Sequence, residues 1–168
     1  VMLGILHLYL AIVYFAVYGT EPVQKYFALP LFLACGLLFL YDGLRNKTEK
    51  MKKPDAIACV LGGLYILYPI ISMLFGAEFP QMVTYIMPCP VVVVSIVVYS
   101  CYQDKNRILL LLLTIWGLTG VKSVVFHVYE DTILLFAGLY GLDLMIEETK
   151  NRGEMTGINK YKEKNNEL

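Results

Sequence analysis

Every Lys and Arg in this chain except Lys25 and Lys122 falls in one of three short segments, and those segments alternate with long apolar runs. A helix that crosses the ~30 Å hydrocarbon core of a bilayer needs about 20 mostly apolar residues. Six runs approach or meet that length, at 3–18, 26–44, 56–75, 82–102, 108–128 and 132–146. Backbone groups in lipid must bond to one another, so the runs read as helices. The expected fold is all-α, a polytopic transmembrane bundle of six spans. Composition agrees. Hydrophobic residues make up 58% of the chain, against roughly 45–50% in soluble domains, and the mean hydropathy is +0.61. What remains outside the spans is too short for a separate soluble domain. The chain divides into a transmembrane domain at 1–148 and a polar tail at 149–168.

Orientation follows from the bases, because cytoplasmic loops carry an excess of Lys and Arg. The loop 45–55 holds Arg45, Lys47, Lys50, Lys52 and Lys53, and the loop 103–107 holds Lys105 and Arg107. The tail adds Lys150, Arg152, Lys160, Lys162 and Lys164. An even number of spans then places both termini of this chain on the cytoplasmic side of the cell membrane. The turns at 20–25, 76–81 and 129–131 are so short that successive helices must be antiparallel neighbours. In the tail, acids and bases balance and apolar residues are sparse, which predicts a solvated, largely disordered extension.

Net charge is zero, so charge suggests no nucleic-acid partner. The expected partners are the lipid bilayer, a small-molecule or ion ligand, and a further copy or a partner membrane subunit. Cys35, Cys59, Cys89 and Cys101 lie in apolar stretches, with no Cys-x-x-Cys and no His at ligand spacing. That pattern indicates neither a disulfide framework nor a zinc site, and no cofactor is expected. The opening apolar run has no basic leader and no Ala-x-Ala, so it does not read as a signal peptide.

Ionisable groups within a bilayer are costly and therefore informative. Lys122 lies ~9–12 Å from the outer end of the fifth run at 1.5 Å per residue. Either its stem snorkels outward, or it faces the bundle interior and pairs with Glu130, Asp131 or Glu78. Together with Glu21, those acids would form an acidic outer mouth, unless they are simply what remains when bases are kept inside. Asp143 lies about 16 Å along the sixth run, on one face with Tyr140 and Glu147. It reads as either a midplane charge or the start of the inner flank. Asp42, His7 and His127 read as interfacial.

The fourth run contains Pro88-Cys89-Pro90. Two prolines around one residue predict a kink or break, freeing carbonyls near Tyr85 and Ile86. Broken helices are tolerated where they line protein or a cavity, and transporters use them at binding sites. The bland alternative is a packing kink with a buried, inert thiol. The candidate ligand-binding or pathway set is Pro88, Cys89, Pro90, Lys122, Asp143 and Tyr85, with Glu78, Glu130 and Asp131 at the mouth. No metal ligands and no catalytic residues are assigned. Gly62-Gly63, Gly117, Gly120, and Ala137 with Gly141 are expected at helix–helix seams. Tyr65, Pro69 and Ser72 form a polar seam on the third helix.

Tyr68-Pro69, Phe79-Pro80, Met87-Pro88-Cys89-Pro90, Ile115-Trp116-Gly117-Leu118 and Glu130-Asp131, followed by Leu134-Leu135-Phe136-Ala137-Gly138-Leu139, occur in this order. Over 26–145 the pattern resembles an uncharacterised family of small bacterial integral membrane proteins, a domain of unknown function with a Pro-Cys-Pro-Thr element. Val91 stands where that family usually has Thr. The family also tends to have one helix more at the amino end, which would make seven spans and an external amino terminus. The resemblance supports the architecture and implies no substrate.

Three classes of function follow. The leading expectation is binding or passage of a small solute or ion through a polar site in the outer half, near Pro88–Pro90 and Lys122. A non-transporting scaffold or sensor subunit is the alternative. A membrane-embedded enzyme comes third, because no paired carboxylates or His-Asp constellation share one depth and face.

Overall fold

The computed structural model of the chain describes residues 1–45, 51–78, 83–123 and 129–166, without the side chains of Gln24, Glu130 and residues 151–166. Among the described residues the fold is all-helical, with six helices. Helix α1 (Met2–Tyr9) continues as wider π-turns over Leu10–Val17. Helix α2 (Leu29–Leu44) is entered through the π-turn Gln24–Ala28. Helices α3 (Ala56–Leu74) and α4 (Pro88–Ser100) follow. Helix α5 (Arg107–Leu118) ends in the 3₁₀ turn Thr119–Val121, and a second such turn, Tyr129–Asp131, leads into α6 (Thr132–Asn166). Two helices, Lys25–Leu44 and Ala56–Leu74, are long and apolar enough to cross a membrane, while Met2–Val17, Pro88–Ser100 and Arg107–Val121 are apolar but shorter.

Sequence neighbours pack against each other, α1 with α2, α3 with α4 and α5 with α6, as the short turns require. One core joins all six helices, from Leu10, Phe32 and Leu61 through Val92 and Leu113 to Leu134. The tightest seam is α5 against α6. A Cβ on Gly117 would lie 2.6 Å from the Gly138 Cα, and one on Gly120 would lie 2.5 Å from the Leu135 nitrogen. Gly141 makes room for the Thr114 hydroxyl in the same way. The expectation for Gly62-Gly63 is overturned. A Cβ on Gly62 would meet only Val97 at 3.8 Å, and one on Gly63 would meet nothing within 4 Å.

One end of the bundle gathers the base-rich segments. The Lys52 N–H donates to the Cys101 carbonyl at 2.6 Å, and Arg107 Nη2 donates to the Glu148 carbonyl at 3.4 Å. Asp55 caps α3 by accepting from the Ala58 N–H at 2.8 Å, and both its carboxylate oxygens accept from the Tyr140 hydroxyl at 2.9 Å. Lys105 is buried there; its desolvation, with Lys52 nearby, lowers its pKa below the usual lysine value.

Two polar residues near helix ends face inward. His7 is fully buried between Phe32 and Phe39, its Nδ1 on the Leu3 carbonyl at 2.9 Å. Asp42 is also buried, at 5% exposure. Helix α6 is described through Asn166. Once a packed apolar segment has nucleated a helix, each added residue contributes a hydrogen bond, so a polar extension can stay helical. His127 and Lys47 lie outside the described residues.

Candidate functional site

The start of α4 defines the site. Met87 is in extended conformation at the N-cap (φ −76°, ψ 156°), and the Val91 N–H closes the first helical bond on the Met87 carbonyl at 3.1 Å. Pro88 and Pro90 therefore sit at the first and third helical positions, where a backbone N–H would have no partner within the helix. The expected mid-helix kink is instead a helix beginning. Residues 79–82 lie outside the described set, and the segment after them is held by the Val83 N–H on Ser72 Oγ at 3.1 Å.

Around this helix start lies a cavity of about 580 Å³. Tyr14 and Phe15 of the α1 π-turns, Glu21 and Phe27 before α2, and Met87, Pro88 and Cys89 form part of its wall. Trp116, Thr119, Gly120, Lys122 and Ser123 at the end of α5, with Asp131 and Leu134 at the start of α6, also line it. Glycine at 120 lets α5 approach α6 closely enough for Ser123 and Thr132 to bring their hydroxyls to 3.3 Å.

Asp131 is the polar centre. Its Oδ1 accepts from the Tyr68 hydroxyl at 2.9 Å, and its Oδ2 accepts from the Cys89 thiol at 3.6 Å. Tyr68 is fully buried, so the carboxylate is tied to α3 and α4 at once. Lys122 is exposed and lines the same cavity. The indole Nε1 of Trp116 is buried without a hydrogen-bond partner among the described residues. A lysine, two carboxyl side chains and aromatic walls thus share one space, and such a space can hold a small polar or ionic molecule.

Of the residues predicted from sequence, Pro88, Cys89, Lys122 and Asp131 come together here. Pro90 is buried and is not among the walls. Tyr85 points elsewhere, its hydroxyl on the Ile66 carbonyl at 2.7 Å and its ring 5.3 Å from that of Tyr65. Glu78 is exposed and lies outside the walls. Asp143 is exposed at the base-rich side, in the groove between α3 and α6 with Ala56 and Tyr140. The Glu130 backbone belongs to the 3₁₀ turn, and its side chain is outside the described set.

Tyr68 is the residue that sequence reasoning passes over. Its signal is its spacing, because Leu61, Tyr68 and Ser72 recur at helical intervals on the buried face of α3. Tyr65, chosen for the seam, is only half-buried.

These features define a class: an all-helical bundle with a polar cavity at the end opposite its bases. The chain belongs to a family of unknown function, DUF6064, whose match covers residues 1–155. No curated protein and no solved structure matches it.

Proposed function

We propose that the protein is a six-span integral protein of a bacterial cytoplasmic membrane, with both termini of this chain cytoplasmic, and that it binds or passes a small solute or ion through the cavity at Cys89, Lys122 and Asp131. The carrying observation is that cavity, which gathers charges of both signs at the base-poor end. The membrane assignment is supported by the apolar outer surface. Val60, Ile66, Ile70, Phe136, Leu139 and Ile146 are all exposed, more than a soluble monomer ordinarily shows. Lys122 would attract an anionic or carbonyl-bearing group, and Glu21 and Asp131 a cationic one.

The test is accessibility from outside intact cells. With Cys35, Cys59 and Cys101 replaced, a small membrane-impermeant methanethiosulfonate should modify Cys89. Modification only after detergent would mean a sealed cavity and would rule out the reading. In the same background Glu78→Cys should react from outside, and Lys50→Cys only after permeabilisation. External reaction at position 50 would overturn the orientation.

A second reading has an observation of its own. The groove between α3 and α6, about 620 Å³ and lined by Ile57, Val60, Leu64, Phe136 and Leu139, is almost wholly apolar. Gly63 leaves open space on α3. A scaffold subunit would use such a face to seat a helix of a membrane partner. Crosslinking from a cysteine at Gly63 into a neighbouring helix would favour it.

A further inference from the structure

We infer that the base-rich end holds a second site, which takes a small organic ammonium group and is centred on Asp42. Asp42 lies near the end of α2 and is 5% exposed. Its Oδ2 accepts from the Tyr99 hydroxyl at 3.2 Å, and its Oδ1 has no partner among the described residues. The Tyr99 oxygen is itself held by the Asn106 N–H at 2.5 Å, so the carboxylate is fixed against α4 and the start of α5. A buried carboxylate with one hydrogen bond lacks most of what would offset its desolvation. The nearest base along the chain does not supply it. Arg45 lays its guanidinium over the Tyr41 ring, 4.6 Å from the centroid.

Asp42 lines a cavity of about 370 Å³ whose wall includes Tyr65, Tyr99, Tyr102 and a second carboxylate, Asp104. The tyrosine rings choose the cation. A hard metal ion asks for six or more oxygen ligands, and no group of three or more His, Cys, Asp or Glu that could hold a metal occurs among the described residues. Aromatic rings beside a carboxylate suit an alkylammonium group, since the ring quadrupole attracts a weakly hydrated cation. The cavity falls within the size range of small-ligand sites. An amine at this end has two sources, a free alkylammonium or a phospholipid headgroup.

The test uses the full chain in phosphatidylglycerol nanodiscs, with tetramethylammonium and ethylammonium titrated by calorimetry. At least one should bind saturably, once per chain, and neopentyl alcohol, a neutral analogue of similar shape, should not compete. Asp42→Asn should weaken binding at least tenfold, Asp104→Asn severalfold, and Asp131→Asn, at the opposite end, not at all. Adding phosphatidylethanolamine to the discs should raise the apparent Kd if a headgroup is the occupant and leave it unchanged if a free amine is. Absence of saturable binding, or equal competition by the alcohol, would overturn the site. Asp104 is exposed, so its variant folds even if Asp42→Asn does not. An unchanged affinity in Asp104→Asn and Tyr102→Leu would also overturn it.

Discussion

Substituting Gly138 and Gly63 by alanine should move stability in opposite directions, although both are glycines within apolar helices. At Gly138 a new Cβ would lie 2.5 Å from the Gly117 carbonyl carbon and 2.6 Å from the Leu118 nitrogen. Carbon atoms in ordinary contact sit ~3.5–4.0 Å apart, so α5 and α6 must part by about 1 Å along their tightest seam. The obstructing atoms are backbone and cannot rotate away. Overpacking of this kind costs about 1–3 kcal/mol. At Gly63 the new methyl meets nothing within 4 Å, and the better helix propensity should contribute ~0.5–1 kcal/mol. The two variants should therefore differ by about 1.5–4 kcal/mol. Equilibrium unfolding in mixed micelles, followed by helical circular dichroism, reads that gap. Parting the helices should also separate Ser123 from Thr132 and widen the cavity, so Cys89 in Gly138→Ala should react faster with thiol reagents. Equal stability of the two variants would refute the seam.

Tyr68→Phe removes one donor from Asp131 and should cost about 1–3 kcal/mol, with faster Cys89 alkylation as the second readout; an unchanged alkylation rate would mean Tyr68 does not hold the site. Pro88→Ala with Pro90→Ala should change unfolding stability by less than about 1 kcal/mol, because prolines in the first helical turn remove no helical bond; a gain near 3 kcal/mol per proline would restore the mid-helix kink. Lys105 has a lowered folded-state pKa, so the unfolded chain holds its proton to higher pH. Stability should rise with pH between that lowered value and the ordinary ~10.4. Lys105→Met should stabilise the fold at neutral pH and flatten that rise, as thermal melts across pH would show.

Hydropathy locates helices along the chain and says little about rotation around them. Depth alone places Cys89 and Lys122 near one another, and the cavity holds both. Azimuth is what His7 and Asp42 needed. Each sits near a helix end yet faces inward, His7 into a cage of Phe32 and Phe39 that residues of α2 supply. The start of α4 was hidden because Val83, Ile86 and Met87 extend the apolar run up to Pro88. Hydropathy measures partition and is blind to hydrogen bonding. The spacing of Pro88 and Pro90 fits a helix beginning as well as a break. Gly117 was legible as a seam residue, but its partner Gly138, rather than Gly62-Gly63, emerges only once α5 and α6 are set side by side.

Asp55 accepts bonds from two helices at once, the Ala58 N–H of α3 and the Tyr140 hydroxyl of α6. A one-turn slide of either helix, 5.4 Å along its axis, would carry the hydroxyl out of reach and leave the carboxylate with only the Ala58 N–H as donor. The two helices are thus registered like rods pinned at Asp55 near one end and through Tyr68 and Asp131 near the other. Splaying at the far end must first break the bond from Tyr68 to Asp131. Any opening of the cavity there would swing about the pin at Asp55, some four helical turns away along α3.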